Sequence, residues 1–261
     1  MRVQIFQVDA FASRRFTGNP AAVMPLDRFL SDASLQAIAA ENNLAETAFL
    51  VKAGTDYLIR WFTPTNEVPL CGHATLASAA VVIERLDRGR RAVTFRSASG
   101  PLPVYRESEW YVMDFPARLC IPVDTTASIR SAVGTEALEI LADEVNYLAL
   151  LPDAKHVRAF KPDFPAIAAL NRKGLIITAS GDNGFDFVSR YFTPQQGVPE
   201  DPVTGSAHCA LAPYWSERLG KNELRAYQAS LRGGEVLCRY LKPRVELRGT
   251  CAFYLEGEAE V

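Results

Sequence analysis

Apolar and polar positions along this chain follow two periods, and the switches between them mark out its elements. Residues 3–11 are apolar and β-branched enough for a strand. The turn Thr17-Gly18-Asn19-Pro20 follows, and a short apolar strand covers 21–24. Ser31 or Asp32 can cap a helix whose apolar positions Leu35, Ile38 and Ala39 have helical spacing. The apolar run 43–51 holds a single carboxylate, Glu46, and 57–62 reads as an aromatic-rich strand. Over 73–85 the pattern is helical, and Ala74, Leu76, Ala77, Ala80, Val81 and Ile83 leave no polar face. A helix apolar all round is buried, here inside a wrap of strands.

The second half repeats this grammar. Short strands are expected over 93–95, 102–105 and 110–115, and 116–122 has no periodicity and reads as a passage between lobes. A helix over about 125–141 and strands over 147–151, 156–160 and 175–178 come next. A second central helix spans 207–219, and the tail 225–255 reads as hairpin strands around Arg232-Gly233-Gly234 and Arg244-Val245-Glu246-Leu247.

The repetition extends to identity. Shifted by 130 residues, Asp56, Arg60, Phe62, Thr63, Pro64, Val68 and Pro69 meet Asp186, Arg190, Phe192, Thr193, Pro194, Val198 and Pro199. Allowing three extra residues in the second copy brings Gly72 and Ala74 onto Gly205 and Ala207. That alignment makes Glu200-Asp201-Pro202 the insertion and Ile176 the counterpart of Glu46. A duplicated strand–loop–helix unit explains the match and favours two linked lobes.

Composition narrows the partners. With 261 residues, 48% of them hydrophobic, the chain can bury full cores. A net charge of −2 points away from nucleic acid and acidic membranes, and no apolar run is long enough to span a bilayer. Five cysteines without CxxC spacing suggest neither a disulfide framework nor zinc, and three histidines lack metal-ligand spacing. The expectation is a reduced, cytoplasmic protein with no metal.

The chemistry concentrates near the duplicated glycines. Two helix N-termini offer free N–H groups and positive dipole ends to an anion, and Gly72 and Gly205 allow close backbone approach. The bland alternative is that the glycines only let a helix pack on a strand. Glu46, inside an apolar run, is a candidate for proton transfer, or else a solvent-facing residue on an edge strand. Cys71 beside a helix N-terminus would have a lowered pKa, unless it is an inert buried thiol. Asp201 could orient a substrate group or fix the tautomer of His73, or simply form a turn.

Four ordered blocks carry a resemblance. They are Asp9-Ala10-Phe11 with Phe16-Thr17-Gly18-Asn19-Pro20, Glu46-Thr47-Ala48-Phe49, Phe62-Thr63-Pro64 through Gly72-His73-Ala74, and Pro199-Glu200-Asp201-Pro202-Val203-Thr204-Gly205-Ser206-Ala207. Together they resemble the PhzF-like isomerase family of phenazine biosynthesis over nearly the whole chain. The resemblance implies the α+β diaminopimelate epimerase-like fold, with two pseudo-symmetric lobes, strands wrapped around a central helix in each, and the active site between them. The lobes are placed at 1–116 and 123–261, with the last strands able to cross back to the first.

It further implies cofactor-independent isomerisation of a small carboxylated substrate in a biosynthetic process, by a homodimer. Glu46 would be the general acid/base, with His73 and Asp201 in catalytic roles. Ser206 would contribute to the site, and by their own placement in the sequence Asn19, Cys71, Gly72 and Gly205 are expected to join it in binding substrate. Related epimerases and racemases place a cysteine before each paired glycine, whereas here Cys71 stands before one and Thr204 before the other. The two-thiol mechanism is therefore closed to this chain. The alternatives are a Cys71-assisted epimerase or racemase with another partner, and a metabolite-binding member without turnover.

Overall fold

A computed structural model describes residues 1–134 and 137–261. The chain divides into two compact units, Met1–Asp114 with Arg248–Val261, and Phe115–Leu247. Among the described residues no helix is long and apolar enough to cross a membrane.

In the first unit the strand Arg2–Ala10 pairs antiparallel with both Cys251–Glu260 and Asn19–Leu26. Asn19–Leu26 runs parallel to Glu46–Ala53, which pairs antiparallel with Asp56–Phe62. Asp56–Phe62 is in turn parallel to Ala92–Ser97, and Gly100–Glu107 and Trp110–Pro116 complete the meander. The sheet curls around the helix Gly72–Val81, in which every residue from His73 on is buried, as the all-apolar pattern requires. Its two hydroxyls remain satisfied by bonding back one turn, Thr75 Oγ1 to the Cys71 carbonyl at 2.5 Å and Ser78 Oγ to that of Ala74 at 2.7 Å. The helix ends in a π-turn, Val82–Leu86, rather than continuing as α-helix to 85.

The second unit has the same order of pairings. Glu139–Ala142 is antiparallel to Asn146–Leu150, which is parallel to Gly174–Ser180. Gly174–Ser180 is antiparallel to Phe187–Thr193, itself parallel to Glu223–Gln228, and Gly234–Tyr240 follows. The helix Gly205–Leu219 takes the central place and contains Pro213. A proline cannot donate to the carbonyl four residues back. That carbonyl, of Cys209, instead accepts from the Arg118 backbone N–H at 2.9 Å, so the interior proline leaves no orphan.

Two expectations are corrected here. Residues 156–160 are not a strand but lie in and after the helix Ala154–Ala159, because Asp153 caps it by accepting from the His156 N–H at 2.9 Å. The helix expected over 125–141 is only Ala127–Val133, stopped at Gly134 with φ of 82°, and Glu139–Ala142 is a strand; residues 135 and 136 lie outside the described residues.

The duplication is structural, but its register differs from the sequence offset. Phe62 pairs with Glu67, and Phe192 with Glu200. Glu200 is therefore the counterpart of Glu67 and Asp201 of Val68, and the three extra residues lie in the turn around Pro194–Gln196. Side chains agree. Arg60 forks onto Glu67 at 2.8 and 2.7 Å, and Arg190 onto Glu200 at 2.7 and 2.9 Å. Each arginine also lies over the phenylalanine two residues on, at 5.1 Å from the Phe62 ring centre and 4.9 Å from that of Phe192. A planar fork held against a ring and a carboxylate fixes the hairpin in both copies. Glu200 is thus a structural clamp, which leaves Asp201 alone of the two carboxylates to act at the second helix.

The counterpart of Glu46 also changes. Thr47 opposes Phe62 and Leu175 opposes Phe192, so Glu46 matches Gly174, not Ile176. A Cβ at Gly174 would lie 2.4 Å from the Tyr191 hydroxyl, which donates to Asn146 Oδ1 at 3.0 Å. Where the first unit holds a carboxylate, the second has a bare glycine covered by a tyrosine ring.

Candidate active site

The first unit gathers three of the sequence candidates, Asn19, Glu46 and Cys71, around the imidazole of a fourth, His73. The helix Asp32–Asn42 ends on Asn43 in the left-handed conformation (φ 47°), and the chain turns directly into the strand that begins at Glu46. Glu46 sits opposite Ala21 in the parallel register, two residues along from Asn19 at the start of the neighbouring strand. Asn19 is fixed by what precedes it. Gly18 has φ of 67°, and a Cβ there would meet the Ala10 carbonyl oxygen at 2.2 Å, so only glycine permits this turn. Cys71 is the N-cap of the central helix, and His73 is its second residue.

Distances tie these groups together. The Asn19 side-chain amide nitrogen lies 3.1 Å from His73 Nδ1, and Cys71 Sγ lies 3.5 Å from the same nitrogen. On the other side of the ring, His73 Nε2 and Glu46 Oε2 face each other across 3.1 Å. The two atoms make no aligned hydrogen bond at that distance, and neither has a hydrogen-bond partner among the described residues. Asn19, Cys71 and His73 are buried, whereas the Glu46 side chain remains 16% exposed. The carboxylate thus stands at the border between solvent and a closed interior, where a proton can be passed in either direction.

Electrostatics follow from this packing. Burial pulls His73 toward its neutral form, but the Cys71 sulfur and the Glu46 carboxylate oppose it and win, holding the imidazole well above the ordinary histidine range. Burial pushes the Cys71 thiol up to about 11, and the Glu46 charge adds to the rise. Of the two readings of Cys71, burial favours the inert buried thiol over one activated by its helix N-terminus. Glu46, Cys71 and His73 are close enough together to suggest a metal site, with ligand atoms within 4.8 Å of one another. Cys71 and Glu46 address opposite nitrogens of one ring, however, which suits a proton path better than a single tetrahedral ion.

Both central helices begin without a side-chain cap, at Cys71 and at Thr204. The four outer α-helices are capped by Ser31, Thr126, Asp153 and Asp163. The free N–H groups are thus left uncapped at the two glycine-started helices, where a negatively charged ligand group can take them.

In the second unit the loop before the helix is built by local bonds. Asp201 accepts from Thr204 Oγ1 at 2.5 Å, Gly205 is buried and Ser206 is exposed. At His73 the side-chain amide of Asn19 is the group beside Nδ1. Gln228 was missed. It is fully buried, accepts from the Thr204 backbone N–H at 2.9 Å and donates to the Asp201 carbonyl at 2.7 Å. Its signal lay in the strand alternation, since Leu224 and Ala226 put Gln228 on the buried face. Replacing Gln228 with alanine strands a buried backbone donor, so we expect a loss of about 1–3 kcal/mol in urea unfolding. Wild-type stability in Gln228→Ala would show that the loop holds without this clamp.

None of the five cysteines forms a disulfide among the described residues. Comparison with known proteins places this geometry in context. The phenazine biosynthesis-like protein family (PhzC-PhzF) matches residues 8–257. An uncharacterized isomerase of Pseudomonas aeruginosa is 49% identical over 257 residues, covering 98% of each chain. A crystal structure of a PhzF-family phenazine biosynthesis protein from Enterococcus faecalis superposes with a TM-score of 0.96 at 44% identity, covering 100% of both chains. A hydroxyproline epimerase from Agrobacterium vitis shares the fold alone, with a TM-score of 0.60 at 11% identity over 99% of this chain and 92% of that one. The fold is α+β and diaminopimelate epimerase-like. With a family match across nearly its whole length and close relatives at full coverage, the chain belongs to the phenazine biosynthesis-like (PhzC-PhzF) family.

Proposed function

We propose that this chain is an isomerase that moves a proton on a small carboxylated substrate, with Glu46 as the general acid/base. The observation that carries the reading is the 3.1 Å approach of Glu46 Oε2 to His73 Nε2 beside an uncapped helix end. The helix N–H groups bind the substrate carboxylate and stabilise negative charge that develops as the carbon acid loses its proton. Glu46 removes that proton and returns it at another position, while His73 steadies the carboxylate between the two transfers. These side chains supply an acid, a base and an anion site, so the reaction needs no organic cofactor or metal. The relatives' designation as isomerases supports the class of reaction, and the substrate's identity is the open variable.

The test is solvent-deuterium incorporation into a panel of small cyclic and amino-acid carboxylates, preselected by a rise in Tm on binding. Exchange into at least one of them is expected. Ligands that raise Tm without any exchange would favour a metabolite-binding protein without turnover. Cys71→Ala separates the thiol-assisted alternative. Because burial keeps that thiol protonated, we expect Cys71→Ala to retain exchange within about tenfold of wild type and iodoacetamide to inactivate slowly. Complete loss of exchange in a folded Cys71→Ala would establish the thiol as a reacting group.

A further inference from the structure

The geometry points to Asn19 as the positioning residue that decides which nitrogen of His73 carries the proton. Its side-chain amide nitrogen lies 3.1 Å from Nδ1. An amide nitrogen can only donate, so the neutral ring must accept at Nδ1 and keep its own proton on Nε2, the atom facing Glu46. Asn19 is itself fully buried and follows a turn that only glycine can make, so its amide is delivered by the backbone rather than by a mobile loop. Cys71 Sγ lies 3.5 Å from the same nitrogen, farther than the Asn19 amide.

Among the described residues, the hydrogen-bond contacts at Nδ1 are those of Asn19 and Cys71. On the adjoining strands the buried Asp9 carboxylate accepts from the Phe16 backbone N–H at 2.8 Å, and the Cys251 thiol faces the Leu76 carbonyl at 3.7 Å. The consequence for catalysis, a protonated Nε2 steadying the Glu46 carboxylate, rests on the function proposed above. The tautomer itself does not.

The second unit supplies a built-in reference. His208 Nδ1 lies 2.8 Å from the Thr204 carbonyl oxygen, which can only accept, so His208 must carry its proton on Nδ1. Two buried histidines of one chain should therefore show opposite tautomers.

The experiment is long-range 1H–15N correlation of the imidazoles in the full-length chain, which has only three histidines, followed across pH. Expected are a neutral His208 protonated at Nδ1 and a neutral His73 protonated at Nε2. In Asn19→Asp the donor becomes an acceptor, so His73 should reverse to Nδ1 protonation and its titration should rise by about 1–3 pH units. A neutral wild-type His73 protonated at Nδ1 would overturn the inference. So would a His73 that stays doubly protonated up to alkaline unfolding, since an Nδ1–H cannot accept from Asn19, and so would a folded Asn19→Asp with the wild-type tautomer. Should Asn19→Asp fail to fold, the wild-type spectrum decides alone. Undiminished exchange in Glu46→Gln would sink the proposed function while leaving the tautomer assignment standing.

Discussion

Glu46→Gln is expected to lower proton exchange into the substrate by at least about a hundredfold while leaving the fold intact, because it removes only the group that transfers the proton. The substitution keeps the size and shape of a side chain that sits at the rim of the cluster and is 16% exposed, so no cavity opens. Removing the carboxylate also removes a charge that raises His73, so the histidine should titrate lower in the variant. That second readout needs no substrate. The measurements are deuterium incorporation at matched protein concentration, the Tm of both proteins, and the His73 titration. Wild-type exchange in a folded variant would remove Glu46 from the mechanism. His73→Gln, which keeps a donor near the carboxylate, should lose less.

The stability of the protein should fall steeply between about pH 6.5 and 4 because of one residue. Burial lowers the pKa of His208 to about 4, against the opposing pull of its bond to the Thr204 carbonyl. Above 6.5 the ring is neutral in both folded and unfolded chains. As pH falls below the unfolded value the unfolded chain binds a proton that the folded chain refuses, so stability is lost until the folded ring also titrates near 4. The gap is worth on the order of 3 kcal/mol. His208→Gln, which can still donate to the Thr204 carbonyl but cannot charge, should flatten this acid limb in urea unfolding at a series of pH values. An unchanged slope in the variant would assign the loss to the carboxylates instead. His73 has the opposite sign. Its raised value makes its contribution fully present below about 6.5 and lost as pH rises through the folded pKa, so the two buried histidines bound the stability range from opposite sides.

The asymmetry between the units gives these predictions their location. Both units have the same strand order, the same arginine fork and the same glycine-started helix. The first brings a carboxylate to 3.1 Å from an imidazole nitrogen at the helix start, whereas the positions matching Glu46 and His73 in the second are Gly174 and Ser206. Tyr191 fills the space over Gly174, so a carboxylate could not be restored there without displacing its ring. Duplication produced two helix starts without a side-chain cap, and divergence left a carboxylate–imidazole pair at one of them.

Much of this was legible in the order of the residues. An apolar run without a polar face can only be a buried helix, and the Phe-Thr-Pro blocks marked the duplication because the same hairpin needs the same residues twice. Glu46, Cys71, Gly72 and His73 stood out for the same reason: polar or flexible residues inside apolar segments require an explanation. What the order of residues could not supply was register and environment. An offset of 130 matched Glu46 to Ile176, and only the cross-strand pairing shows that its counterpart is Gly174. A dipole argument lowers the pKa of Cys71, and only its burial shows that desolvation wins. Asn19 lies 54 residues from His73, and that contact, like the fully buried Gln228 behind Asp201, exists because strands far apart in the chain are packed side by side. Periodicity is a local property of the chain, whereas pairing partners and solvent exclusion are set by the whole fold.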